Sequence, residues 1–158
     1  MDKSFDAWNI LKDDYALEYG GGDSLPFFIL GTNADDLAAK PHVLSPPLME
    51  SLQNFLPLRI SEDNFWLKYS LIRDGASLQS LLQYVRGSRN TIIAIESVDG
   101  DVFGSYTSSS WKKSTEYYGS GESFLWRMRK PRSTACHSII DQAHLESELD
   151  VFPVSFMS

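Results

Sequence analysis

The sequence predicts an α+β protein built on an antiparallel sheet. Its strong local signals follow one another as helix, strand, helix, hairpin and strand, and the hairpin turns at an Asp-Gly pair. Antiparallel strands can be joined by such tight turns, whereas parallel strands need a much longer crossover connection. With 158 residues, 42% of them hydrophobic, the chain is long enough for one domain with its own core.

The first predicted helix lies near 47–56. Ser45 is a suitable N-cap, and the two prolines that follow it suit the first positions of a helix. One helix face would carry an apolar stripe, made of Leu48, Leu52, Phe55 and Leu56. The segment 65–71 alternates apolar with polar residues and therefore predicts a half-exposed strand. A short apolar run at 27–30 is a further candidate strand.

The second predicted helix lies near 77–86. Ser77 can cap its first turn. Gly87 ends it, because glycine adopts the left-handed backbone conformation of a C′ position without steric penalty. Its apolar residues recur at the spacing of one helix face: Leu78, Leu81, Leu82 and Val85. We therefore expect these four side chains to share one side of the helix.

Three strands are predicted after the second helix. The run 91–95 is almost entirely apolar and mostly β-branched, which is typical of a strand buried on both sides. Asp99 and Gly100 supply positive φ angles for a tight hairpin, which returns the chain along 102–106. The segment 124–130 alternates apolar and polar residues, and the proline after it ends the strand.

The two ends of the chain carry weaker signals. Residues 1–25 predict a loosely ordered leader, because three consecutive glycines at 20–22 separate its few apolar residues from the rest. The remaining residues, 26–158, then form the domain. Within it, the pattern of 138–149 fits either a helix or an inserted arm.

The charge and cysteine content disfavour several classes of function. A formal net charge of -7 and a pI near 4.8 disfavour nucleic acid and anionic membranes as main partners, because both bind basic surfaces. No apolar run reaches the roughly 20 residues of a membrane-spanning helix, and the N-terminus lacks the features of a secretory signal. The single cysteine, Cys136, permits no internal disulfide. A cytoplasmic location is therefore expected.

The segment 71–126 resembles the TLDc domain. It combines a capped helix, an apolar strand, an Asp-Gly hairpin leading into V-F-G, a tryptophan after a serine-rich stretch, and the motif Y-G-S-G-E-S-F-L. The resemblance implies a β-sandwich core of two antiparallel sheets, flanked by the two helices. It also implies further strands after residue 131 that this sequence does not show. We therefore expect a domain lacking its last strands, with an open sheet edge through which it self-associates.

The resemblance implies a biological role without implying a reaction. TLDc proteins of the oxidation-resistance and nuclear-receptor-coactivator types protect cells against oxidative damage and bind the vacuolar proton-pumping ATPase, and no catalytic mechanism is established for the domain. We therefore expect a non-catalytic interaction module, held at endomembranes only through a protein partner. The candidate binding residues are the positions that match the shared motif: Gly104, Trp111, Gly119, Ser120, Gly121, Glu122, Ser123, Phe124 and Leu125.

Few residues favour catalysis. The serines of the motif lack the flanking glycines of a nucleophile elbow, and no nucleotide-binding loop is recognised, so no cofactor is expected. Glu122 precedes an apolar strand, where it would cap nearby amides or be partly buried, as functional carboxylates often are. The adjacent pair Cys136 and His137, with His144, offers fewer ligands than a structural zinc site needs.

Two alternatives to the interaction module remain open. One is a redox-active or hydrolytic enzyme that uses Cys136 or Glu122. The single cysteine weakens the redox version, because thiol peroxidases need a stabilised thiolate and usually a means to resolve its oxidised form. The other alternative is a truncated fragment that is inert, or that binds or inhibits a pump subunit.

Overall fold

The computed structural model describes residues 2–11, 27, 29–31, 42–109 and 122–153. Over these ranges the protein has the predicted α+β architecture. The strands are β1 (Asp2–Leu11), β2 (Ile29–Leu30), β3 (Asn64–Ser70), β4 (Thr91–Ser97), β5 (Val102–Thr107), β6 (Phe124–Met128) and β7 (Leu149–Pro153). The helices are α1 (Pro46–Gln53), α2 (Leu71–Asp74), α3 (Leu78–Val85) and α4 (Ile139–Ser147), with a 3-10 turn at Leu58–Ile60.

All these strands belong to one sheet, in the order β2-β3-β1-β4-β5-β6-β7. Neighbouring strands are antiparallel, except that the two-residue β2 runs parallel to β3. The described residues therefore hold one sheet in place of the two that the family resemblance implies. The reason is β1, which is hydrogen-bonded to β3 on one side and to β4 on the other. It joins two groups of strands that would otherwise be separate.

Residues 2–11 of the predicted loosely ordered leader, 1–25, form a central strand, whereas its residues 12–25 lie outside the described residues. Trp8 and Ile10 enter the larger core cluster, and Ala7 enters the smaller cluster on the opposite face of the sheet. Asp6 and Asn9 are buried between the same neighbouring strands. A strand that is covered on both faces shows no regular alternation of apolar and polar residues, which is why the sequence pattern does not reveal this one.

Both predicted helices are present and begin at the predicted caps. The Ser45 hydroxyl accepts a hydrogen bond from the Leu48 amide at 3.5 Å, and the Ser77 hydroxyl accepts one from the Ser80 amide at 3.2 Å. Gly87 follows α3 with a φ of 76°, which is the left-handed conformation that ends a helix.

In both helices, fewer of the predicted apolar residues are buried than the sequence pattern indicates. In α3, Leu81 and Val85 are buried, but Leu78 and Leu82 are exposed. A helix lying on the surface of a sheet buries only the side that contacts the strands, so two of the four predicted residues are left outside. Because α1 ends at Gln53, Phe55 lies beyond the helix and is largely exposed.

A β-bulge changes the predicted alternation of β3. Phe65 and Leu67 face the larger core, as the pattern predicts, but the register with β1 then skips Lys68. The extra residue turns Tyr69 to the opposite face, where its ring packs against Phe5 with centroids 5.8 Å apart. The strand therefore contributes to both core clusters.

The buried strand and the hairpin predicted for 91–106 are confirmed. Thr91 to Ala94 are buried, and the turn is closed by a hydrogen bond from the Ser97 amide to the Asp101 carbonyl at 2.9 Å. Gly100 takes a φ of 90°, whereas its neighbour Asp99 does not have a positive φ. One glycine therefore suffices to make this turn.

The last third of the described chain is regular. The predicted strand at 124–130 is present as β6. The helical interpretation of 138–149 is confirmed by α4, whose cap Ser138 accepts a hydrogen bond from the Asp141 amide at 3.0 Å, so the inserted-arm interpretation is wrong. The sequence did not predict β7, which pairs with β6. Its five residues end in Pro153, and a proline in a short apolar run weakens the strand signal.

Helices pack on both faces of the sheet, but on one face only over β1, β3 and β4. The larger core cluster lies between the sheet and the pair α1 and α4, and the smaller one lies between β1, β3, β4 and α3. None of the helices in the described ranges has the length and apolar character needed to cross a bilayer.

Candidate interaction surface at the shared motif

The candidate residues divide into two groups in the structure. Gly104 and the stretch from Glu122 to Leu125 lie on or beside β5 and β6, so the fold brings them together. The remaining candidates lie outside the described residues: Trp111, Gly119, Ser120 and Gly121. The described part of the motif is therefore the surface around the start of β6.

Gly104 leaves room for the aromatic core. It pairs with Ala94 on one side and with Trp126 on the other. A Cβ atom added at Gly104 would lie 1.7 Å from the Ile93 carbonyl oxygen and 2.9 Å from the Trp126 ring, and both distances are too short. The V-F-G glycine thus has a packing role, as expected for a fold-shaping position of the motif.

Phe124 anchors the motif in the core through contacts with two other aromatic rings. Its side chain is only 4% exposed, and its ring lies 5.1 Å from the Tyr106 ring and 6.5 Å from the Phe55 ring, centroid to centroid. The Tyr106 hydroxyl donates a hydrogen bond to the Asn90 side-chain oxygen at 3.0 Å. Burial, followed by the negative charge of Glu122, raises the pKa of Tyr106 to about 12, so its phenol is neutral at physiological pH.

Glu122 lies at the surface, in an ion pair with Arg59 of the 3-10 turn. The guanidinium nitrogens Nη1 and Nη2 donate to the two carboxylate oxygens at 2.6 and 2.7 Å. The side chains of Arg59 and Glu122 are 55% and 38% exposed, so the pair is in contact with solvent. The hydrogen bond to Glu122 raises the pKa of Arg59. This bidentate pair links two segments that are distant in sequence.

A second, apolar surface lies on the other face of β5, β6 and β7. Leu125 is 52% exposed, and by register Phe103 and Phe152 point to the same side of the sheet and are also exposed. The Arg127 guanidinium lies 5.4 Å from the Phe152 ring centroid. Arg127 and Arg129 also pair with Asp150, and their hydrogen bonds, led by that of Arg129, lower the pKa of Asp150.

The residues considered for catalysis or metal binding do not form a common site. The Cys136 thiol is half-buried and donates to the Thr134 carbonyl at 3.6 Å. His144 lies on α4 and pairs with Glu148 at 2.7 Å. Within the described ranges, no cluster of three or more histidine, cysteine or acidic side chains has a geometry that could hold a metal ion. Asp99 and Asp101 belong to the β4–β5 hairpin.

Sequence reasoning missed a buried charged cluster around Arg132. Its guanidinium donates to Glu96 at 2.7 Å, to Glu146 at 3.0 Å and to the Val43 carbonyl at 2.8 Å. Asp6 lies within the electrostatic reach of the same guanidinium. These residues are far apart in sequence and follow no known spacing, so only the folded chain brings them together.

The fold and this surface define an α+β domain. Within its shared motif, Gly104 and Phe124 pack in the core, whereas Glu122 forms an ion pair at the surface. The chain belongs to the TLDc domain family, whose model matches residues 37–144. This confirms the resemblance stated above.

Three relatives illustrate the relationship. The chain is 36% identical over 107 residues to Oxidation resistance protein 1 of Podospora anserina, a match that covers 65% of this chain and 31% of that protein. For Oxidation resistance protein 1 of Kluyveromyces lactis the values are 36% over 107 residues, covering 62% and 43%. For human Nuclear receptor coactivator 7 they are 32% over 90 residues, covering 55% and 10%. The matches therefore span less than half the length of these relatives.

Proposed function

We propose that this protein is a non-catalytic TLDc interaction module that binds the vacuolar proton-pumping ATPase and supports resistance to oxidative stress. The observation that carries the proposal is the Arg59–Glu122 pair, which presents the motif's acidic residue at the surface in a fixed geometry. A bidentate pair of this kind is suited to recognition, because it orients charges without burying them.

The pump and the stress role come from the family. Proteins named for oxidation resistance are among the relatives, and the TLDc resemblance implies binding to the proton pump. The pump's accessible subunits face the cytoplasm, so the module would be cytoplasmic and would reach endomembranes through its partner. The net charge of -7 agrees with a protein partner rather than a lipid surface.

The site geometry favours binding over catalysis. Both oxygens of Glu122 accept hydrogen bonds from Arg59, which leaves the carboxylate poorly placed to act as a general base. The Cys136 thiol donates to the Thr134 carbonyl oxygen, whereas reactive cysteines have a cationic neighbour. If the redox alternative held, Cys136→Ser would abolish protection against peroxide in cells. We expect Cys136→Ser to leave it unchanged.

A capture experiment tests the proposal. Residues 1–158 are purified, shown to unfold in one cooperative transition, immobilised, and mixed with the pump's purified cytosolic subunits. We expect capture by the unmodified chain and at least a tenfold loss with Glu122→Gln, because neutralising Glu122 breaks the ion pair. Asp101→Asn, an exposed acidic residue of the β4–β5 hairpin, is the matched control and should bind normally.

The outcomes separate the hypotheses. A folded chain that captures no subunit overturns the pump proposal. Equal capture by all variants would show that the partner binds elsewhere on the domain. A chain that aggregates without a cooperative transition favours the alternative of a truncated fragment, whose function belongs to a longer protein.

We also propose self-association through β7. In the described ranges this strand is hydrogen-bonded only to β6, and it carries the exposed Phe152. An unpaired strand edge beside apolar side chains is a common site of strand addition. Phe152→Gln should therefore reduce the concentration-dependent dimer seen by sedimentation. Leu58→Gln also replaces an exposed apolar side chain with a polar one, at a residue that is 93% exposed, and it should not reduce the dimer. A chain that stays monomeric at all concentrations would contradict this second proposal.

A further inference from the structure

The segment 42–45 is held from two sides just before α1 begins. The Asp6 carboxylate oxygen Oδ2 accepts hydrogen bonds from the Val43 amide at 2.7 Å and the Leu44 amide at 3.3 Å. The Arg132 guanidinium donates to the Val43 carbonyl at 2.8 Å. Val43 and Leu44 are each only 1% exposed. The entry to α1 is thus fixed to β1 on one side and to the loop after β6 on the other.

The charges around this segment do not balance. Arg132 contacts Glu96 at 2.7 Å and Glu146 at 3.0 Å, so one guanidinium already serves two carboxylates. Asp6 is a third carboxylate, 1% exposed, and its Oδ1 has no hydrogen-bond partner among the described residues. Of the three, Asp6 is the one whose charge is least compensated. Burial of a carboxylate whose oxygens are incompletely paired favours its protonated form.

We propose that Asp6 and Arg132 form a pH-sensitive latch on the segment 42–45, which is closed when Asp6 is protonated and opens more often when Asp6 ionises. An ionised carboxylate inside the core is stabilised by water, and opening of the segment 42–45, whose amides bind Asp6, would let water reach the carboxylate. Because α1 begins at the end of the segment, the latch couples the protonation of one buried side chain to the seating of that helix. This inference is independent of the proposed function.

The direction of the pH effect follows from the environment of Asp6. Burial raises its pKa from 3.8 to about 6, against the opposing influence of the two amides, the Trp8 indole and the charge of Arg132. Since the folded-state pKa is above the unfolded one, the stabilisation is complete below about pH 4 and is lost as the pH rises through about 6. The gap corresponds to roughly a hundredfold change in the unfolding equilibrium constant.

Other titratable groups face the same region and must be controlled. The His42 ring packs on the Trp8 ring with centroids 5.5 Å apart. Opposite Asp6 in β3 lies Ser70, whose amide is held by Asp74 at 3.0 Å. Glu96 and Glu146 approach from β4 and α4 through Arg132. Histidine titrates in the same pH range as the latch, so His42 is the most important of these controls.

The first test follows the donors that touch Asp6 by NMR. In residues 1–158, the amide signals of Val43 and Leu44 and the indole N–H signal of Trp8 are recorded from pH 4.5 to 8. We expect all three to shift with one midpoint near 6, and to lose this transition in Asp6→Asn. The same midpoint should persist in His42→Gln. A transition that survives in Asp6→Asn, or that disappears in His42→Gln, overturns the proposal.

The second test measures opening of the latch. Amide exchange of Val43 and Leu44 is compared between the unmodified chain and Asp6→Asn at the same pH, which cancels the intrinsic pH dependence of exchange. We expect equal rates at pH 4.5, and at pH 7.5 exchange at least tenfold faster in the unmodified chain. Equal rates at both pH values overturn the latch.

A milder variant keeps the proposal testable if Asp6→Asn does not fold. Arg132→Lys retains the positive charge but loses the forked geometry that reaches Val43 and both glutamates. We expect the NMR midpoint to stay near 6 while Val43 and Leu44 exchange faster at both pH values. An unchanged exchange rate in Arg132→Lys would show that Arg132 does not hold the segment.

Discussion

Arg59 and Arg132 make ion pairs of almost the same length in very different surroundings. Arg59 meets Glu122 at 2.6 and 2.7 Å with side chains that are 55% and 38% exposed. Arg132 meets Glu96 at 2.7 Å with side chains that are 18% and 10% exposed. Water screens the first pair and competes for its hydrogen bonds, whereas the second has little water to replace a lost partner. Equal distances therefore do not imply equal contributions to stability.

The largest expected effect comes from removing the buried guanidinium. Arg132→Ala would remove the guanidinium that pairs with Glu96 and Glu146, and breaking a buried pair in this way typically costs about 3–5 kcal/mol. Urea unfolding at pH 7 measures the loss. Arg59→Ala is the matched control, and its unfolding midpoint should stay close to that of the unmodified chain. Equal midpoint shifts for the two variants would refute the distinction between the sites.

A smaller effect should appear when a buried partner is removed together with the cation. We expect Arg132→Met with Glu96→Gln to be more stable than Arg132→Met alone, by about 1–3 kcal/mol, because the double variant also neutralises one of the two carboxylates that lose the guanidinium. The corresponding comparison at the surface, Arg59→Met with and without Glu122→Gln, should show no such recovery. Additive effects at the buried site would mean that Arg132 and Glu96 are not coupled in the folded protein.

The smallest expected effect is a change in the pKa of the buried Tyr106 when the Arg59–Glu122 pair is altered. The pKa of Tyr106 is raised to about 12 by burial and then by Glu122, while Arg59 acts in the opposite direction. Glu122→Gln should therefore lower this pKa, and Arg59→Gln should raise it. Phenolate absorbance, taken as the difference from Tyr106→Phe, reports the change. Shifts of the same sign in both variants would contradict the predicted influence of the pair.

Elements with strong local signals are those that the sequence predicts well. Ser45 and Ser77 mark the helix starts, and Gly100 marks the hairpin, because caps and turns depend on residues that are close in the chain. The first strand was missed for the opposite reason. Asp6 and Asn9 sit in its interior, and their burial depends on partners that are remote in sequence, so the strand has no local pattern to read.

The candidate site was only partly accessible to sequence reasoning. The motif pointed to Glu122 and Gly104, but nothing near Arg59 indicated that it would pair with Glu122. The Arg132 cluster left no signal at all, since its members come from β1, β4, α4 and two loops. Ion pairs between distant segments follow from the register of the strands, and the register is set by packing across the whole sheet.

The central place of β1 decides which pieces of this chain can be produced for experiments. A fragment cut to the family match, 37–144, would omit Asp2–Leu11 and the whole of the last described strand. It would expose the facing edges of β3 and β4 together and lose the Asp6 contact to Val43. Such a fragment is expected to aggregate, and its failure to bind a partner would reflect a missing strand rather than a missing function. Deletions and fusions should therefore preserve the first eleven residues.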